Sequence, residues 1–129
     1  SILKIVRPFI EDSTVIAVGG MIRLANGCAV RNGRVVEINM PKPLIARMQL
    51  VEYLRAFLFG RMGWASINGL LCISGAFGAF RRDVMIDCGG FRNASLGEDM
   101  ELVVTMHKLM RERKQPYRIT FTPDPVCWT

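Results

Sequence analysis

The stretch from Leu70 to Arg113 constrains the fold more than any other part of the chain. Leu70-Leu71-Cys72-Ile73 is an apolar run with the pattern of a buried strand. Gly75 and Gly78 follow it within Ser74-Gly75-Ala76-Phe77-Gly78-Ala79-Phe80-Arg81-Arg82-Asp83, a turn that lets another group come close to backbone. Arg82 to Cys88 predicts a short helix stopped by Gly89-Gly90, and Phe91 to Leu96 predicts a loop. A longer helix is predicted from Glu98 to Arg113, with Met100, Val103, Met106 and Met110 as its inner stripe. Its acidic start (Glu98, Asp99, Glu101) and basic end (Lys108, Arg111, Arg113, Lys114) both complement the helix dipole. Pro116 terminates it. A strand, a glycine turn and two helices in this order call for a domain that mixes sheet with helix.

The flanking segments agree with that class. Ile2 to Phe9 reads as the end of an amphipathic helix, with Lys4 and Arg7 on one side. Val15-Ile16-Ala17-Val18 has a buried-strand pattern closed by Gly19-Gly20, and Met21 to Leu24 continues extended. Asn26-Gly27 and Asn32-Gly33 are hairpin dipeptides, because type I′ turns need positive φ. With Val35-Val36-Glu37-Ile38 they predict an antiparallel ribbon from about Ala17 to Ile38. Pro41 and Pro43 precede a predicted helix from Leu44 to about Phe59. Leu44, Met48, Val51, Leu54 and Leu58 form one stripe of it. Leu50, Tyr53, Phe57 and Phe59 form another, so the helix is apolar over most of its circumference. Arg47, Arg55, Arg61 and Glu52 are the charged exceptions, and Trp64 closes the segment. Such a helix either packs on a core, here or in a part of the protein not in this sequence, or lies at a membrane interface. Tyr117 to Thr122 alternates as a strand, with Pro123 and Pro125 as its stop. The expected class is α/β with an inserted antiparallel hairpin.

Composition narrows the function classes. The 129 residues suit one domain with a modest core. Half of them are hydrophobic and mean hydropathy is +0.25, yet no apolar run reaches the roughly 18 residues of a membrane span. The segment itself is therefore expected to be soluble and not transmembrane. The net charge of +6 suits a phosphate-rich ligand or an anionic membrane face, and equally an ordinary basic surface. No signature of a DNA- or RNA-binding module is present, which argues against nucleic acid as partner. Four cysteines at 28, 72, 88 and 127 form no CxxC pair and there is one histidine, so a zinc site is not expected. Cys72 reads as a small core residue in a reducing compartment, and His107 as a surface or packing histidine.

Two places carry candidate chemistry. Asp99 sits in the first turn of its helix, where unpaired N–H groups and the dipole favour a negative charge. An ionised carboxylate there can serve as a general base toward a hydroxyl. Equally, Glu98, Asp99 and Glu101 can be surface acids that only complement the dipole. The Ser74-to-Phe80 turn can bring backbone against a flat or hydroxylated ligand, or can need its glycines for φ and packing alone. It is not a phosphate loop of the GxxxxGK[ST] type, because no lysine follows. Arg81 and Arg82 are left to pair with a phosphate or with Asp83 and Asp87.

Four segments, in this order, resemble the membrane-associated, inverting family 2 glycosyltransferases of the cellulose, hyaluronan and poly-N-acetylglucosamine synthase type. Val15-to-Asn26 (VIAVGGMIRLAN) is similar to the strand and turn after that family's metal motif. Gln49-to-Trp64 (QLVEYLRAFLFGRMGW) is similar to its interfacial helix. Ser74-to-Asp83 is similar to its acceptor-side turn, and Gly97-Glu98-Asp99 to its catalytic-base motif. The resemblance implies a GT-A fold, a nucleotide-sugar donor, a glycan acceptor and a divalent metal, Mg or Mn, in the full-length enzyme. It implies Asp99 as the base. Gly75, Ala76, Phe77, Gly78 and Glu98 would shape the acceptor site, with Phe77 as a stacking surface. It also implies a place on the cytoplasmic face of the inner or plasma membrane, with Leu44–Trp64 at the interface.

The family's aspartate-x-aspartate and Gln-x-x-Arg-Trp motifs do not occur in the sequence. The expectation is thus an internal fragment, the acceptor-side half of a catalytic domain over residues 1–129. Such a fragment would be inactive alone, would bind no metal, and would self-associate through strand edges laid bare. The competing expectation is a non-catalytic basic binding or membrane-surface module.

Overall fold

The computed structural model describes residues 2–92 and 96–129. Its centre is β1 (Val15–Arg23), of which every residue from Val15 to Ile22 is buried. A continuous apolar strand of this kind needs cover on both faces, and two apolar clusters supply it. Helix α1 (Ile2–Glu11) packs Ile5 against Val15 and Val18. The larger cluster joins Ile16, Ala17, Met21 and Ile22 to residues from the rest of the chain. The strand does not stop at Gly19-Gly20. Those glycines sit mid-strand because neighbours crowd them. A Cβ at Gly19 would lie 2.9 Å from Phe121 Cδ2, and one at Gly20 would run into Val126 and come within 3.2 Å of Phe77.

The antiparallel ribbon is smaller than its turn signals suggest. Only β2 (Ala29–Arg31) and β3 (Arg34–Glu37) form it, around Asn32 and Gly33 at φ of 51° and 70°. Asn26-Gly27 makes a turn with Gly27 at φ 84°, but β1 does not pair with β2. The turn hands the chain from the sheet to the hairpin instead.

Helix α2 (Leu44–Leu54) continues through one π-helical stretch (Arg55–Gly60) into α3 (Arg61–Ser66). The helical run therefore exceeds the predicted length by about two turns. Leu70 to Ile73 is buried only in part and is not a strand: Leu70 and Ile73 point inward while Leu71 is 53% exposed. Asn68 fixes this irregular segment to the end of the sheet. Its amide donates to the Tyr117 carbonyl at 3.1 Å and accepts from Ile119 N–H at 2.9 Å.

Two further strands complete the sheet, in the order β4-β1-β5. The short β4 (Gly78–Phe80) runs antiparallel to β1, with Val18 opposite Ala79. The long β5 (Arg118–Trp128) runs parallel to it, from Val15↔Arg118 to Arg23↔Trp128. Pro123 and Pro125 lie inside β5 rather than ending it. An outer strand tolerates proline, and the register shifts at Gly20/Met21 and Met21/Ile22 flank the pairing of Pro125. Helix α4 (Arg82–Asp87) ends at Gly89 and Gly90, both at positive φ. Helix α5 (Glu98–Glu112) buries Leu102, Val103, Met106, His107 and Met110 against the larger cluster, while Met100 stays 51% exposed. The architecture is α/β with a mixed sheet. Among the described residues no helix is long and apolar enough to cross a membrane.

Candidate active site

The chain brings its two candidate segments into contact. Gly75 N–H donates to Asp99 Oδ2 at 3.2 Å, across 24 residues of sequence. The irregular segment after Asn68 delivers Gly75 to this point, and Phe77 N–H closes the turn onto the Ser74 carbonyl at 3.2 Å. The turn then enters β4 at Gly78, where a Cβ would meet Ile73 Cγ2 at 2.5 Å. Gly75 has room of another kind: a Cβ there would face Asp99 Oδ2 at 3.6 Å. Asp99 lies in the first turn of α5, after Gly97, and is half-buried. Among the described residues it joins no ion pair. A carboxylate that a backbone N–H orients and no cation neutralises can accept a proton from a neighbouring hydroxyl.

The other predicted site residues divide. Ala76 and Gly78 are on the turn, with Gly75 and Ala76 exposed beside Asp99. Glu98 is exposed on the same helical turn. Phe77 is turned inward: its ring packs on both apolar clusters and against Gly20. That removes most of it as a stacking surface. Arg81 is taken by Asp83 through two hydrogen bonds of 3.0 and 2.6 Å, and Asp87 by Arg113 at 2.8 Å. The fork from Arg81 holds the Asp83 carboxyl below the usual carboxylate range.

Three residues near the site carried no sequence signal for their roles. Arg61 stacks its guanidinium 4.1 Å above the Phe57 ring, which in turn stacks on Tyr53 at 5.5 Å. Cys72 is half-buried. Burial pushes its thiol up; the charge of Arg61 opposes this and that of Asp99 adds to it. His107 is neither exposed nor alone. Its Nε2 bonds the Leu70 carbonyl at 2.7 Å and its Nδ1 meets the Tyr117 hydroxyl at 2.8 Å. A carbonyl only accepts, so Nε2 carries the proton, and in the neutral ring Nδ1 accepts from Tyr117. That hydroxyl accepts in turn from Arg111 Nε at 3.2 Å. The network ties α5 to the segment carrying Cys72 and Gly75.

Among the described residues no group of three or more His, Cys, Asp and Glu side chains could hold a metal ion. The divalent metal implied by the resemblance is an expectation for the full-length enzyme, and the chemistry assigned below is that of this chain's own side chains. No family model matches the chain, and no curated protein matches it.

Proposed function

We propose that this chain is the acceptor-side part of an inverting, membrane-associated glycosyltransferase with a GT-A fold. The observation that carries the reading is the 3.2 Å bond between Gly75 N–H and Asp99. The acceptor-turn segment and the base-motif segment meet at the one carboxylate that the chemistry requires. In the reaction, Asp99 takes the proton of an acceptor hydroxyl as its oxygen attacks the anomeric carbon of a nucleotide-sugar. The new glycosidic bond forms, the bond to the nucleotide diphosphate breaks, and the configuration inverts. Gly75 orients the base; Ala76, Gly78 and Glu98 border the space where the acceptor lies. Asp99→Asn keeps the shape and removes the base. In the protein encoded with this segment, it is expected to lower transfer about 10²–10⁴-fold with donor affinity unchanged. Turnover at the wild-type rate would end the assignment.

A second reading, a basic module on a membrane surface, draws on the helical run from Leu44 to Ser66. Leu44, Ile45, Met48, Val51 and Phe59 are all more than 60% exposed there, beside Arg47 and Arg55. The same surface would also hold an enzyme at its membrane, so the two readings part only over catalysis: the module would bind without transferring sugar. The outer edge of β5 invites self-association of the isolated chain. A monomer at high concentration in light scattering would contradict that.

A further inference from the structure

A cavity of about 140 Å³ lies where α3 meets the irregular segment, lined by Arg61, Trp64, Gly69, Leu70, Leu71 and Cys72. The Trp64 indole is seated on Gly69. A Cβ at Gly69 would stand 3.2 Å from Trp64 Cε3, and Gly69 N–H donates to the Trp64 carbonyl at 2.8 Å. Trp64 is nevertheless 58% exposed. A large aromatic surface is thus fixed from behind and open in front. Arg61, held over Phe57, joins no ion pair among the described residues, and its Nη1 is buried without a hydrogen-bond partner. A guanidinium in that state is short of acceptors.

We propose that this cavity is a subsite for one neutral sugar ring of the acceptor glycan. The ring lies with its C–H face on the Trp64 indole, and one of its oxygens accepts from the Arg61 guanidinium. Rings with equatorial hydroxyls present such an apolar face, and a tryptophan covers it with a large, weakly hydrated surface. The leucines and Cys72 complete an apolar floor. A free phosphate would find one cation in this lining and no second charged side chain. The location suits an acceptor: Cys72 lines the cavity and Gly75 touches Asp99, and three residues span at most about 10 Å. Arg61 of the lining and Asp99 are both near enough to the Cys72 thiol for their charges to act on it.

This subsite rests on the glycosyltransferase reading for the name of its ligand, and its test is separate. The chain has two tryptophans, so a ¹H–¹⁵N spectrum carries two indole N–H signals, assigned by Trp128→Phe. The chain is titrated with cellotetraose, with chitotetraose and with sodium phosphate. The Trp64 signal is expected to move and saturate with at least one oligosaccharide while the Trp128 signal stays. Arg61→Gln weakens that binding about tenfold and Arg61→Lys less. No movement with either oligosaccharide, equal movement of both indoles, or movement with phosphate alone overturns the subsite. If the encoded protein transfers sugar while the Trp64 signal is still, only the subsite falls. If the signal moves and no transfer occurs, the enzyme reading falls and the sugar site stands.

Discussion

Helix α5 and the helical run from Leu44 to Ser66 were written in the same periodic language and have opposite fates. In α5 the three- and four-residue spacing delivers Val103 and Met106 to full burial. In the other run the same spacing leaves Leu44 71% and Phe59 74% exposed, and α2 buries no residue at all. The difference lies in the partner. The larger apolar cluster covers one face of α5; α2 reaches that cluster with Tyr53 and Leu54 near its end and leaves Leu44, Ile45, Met48 and Val51 exposed. Periodicity tells that a face is apolar. Only the tertiary structure tells whether its cover belongs to the same chain.

The contrast can be broken by substitution, and Met106→Ala should show the largest effect. Met106 is fully buried, so about 2–5 kcal/mol of stability should be lost in denaturant unfolding. A loss below about 0.5 kcal/mol, the range of surface changes, would mean α5 is not the covered helix. His107→Leu comes next. It keeps the volume but strands the Leu70 carbonyl and the Tyr117 hydroxyl, for about 1–3 kcal/mol. Rapid amide exchange around Leu70 and Cys72 should accompany it.

On the uncovered side, serine at Leu44, Ile45 and Met48 should each change stability by no more than about 0.5 kcal/mol. The triple variant should cease to sediment with vesicles of anionic lipid. Destabilisation like that of Met106→Ala would reveal hidden cover. The smallest effect is electrostatic. Asp83 is held below its ordinary range chiefly by the Arg81 hydrogen bond, so its contribution is complete above the unfolded value of about 3.9 and fades as pH falls through the folded one. The side chains of the pair are 42% and 60% exposed, which keeps the effect small. Carbon NMR of the Asp83 carboxyl should give a midpoint that returns toward the ordinary range in Arg81→Gln.

Local rules were readable where local physics decides. The dipole-matched ends of α5, the stop of α4 at Gly89-Gly90 and the turn at Asn32-Gly33 all follow from a few neighbouring residues. Asp99 was legible as a first-turn acid. Its meeting with Gly75 was not, since nothing within either segment specifies the other. Leu70-Leu71-Cys72-Ile73 looked like a strand because burial of Leu70 and Ile73 comes from packing, not from a ladder. His107 looked solitary because its partners arrive from the segment before β4 and the start of β5. The ribbon is smaller than its turn signals because a hairpin dipeptide specifies a turn, not which strands flank it. Pro123 and Pro125 carry the local signal of a stop, yet an outer strand can hold them.

The pairing of β1 with β5 also sets an order of events. Synthesis runs from N- to C-terminus, so the eight buried residues of β1 emerge well before Arg118–Trp128, the parallel neighbour they pair with. Until Arg118 to Trp128 has left the ribosome, that edge is open and apolar. A chain cut after α5 would keep its helices and leave the central strand unpaired on that side, with an apolar edge open to other chains.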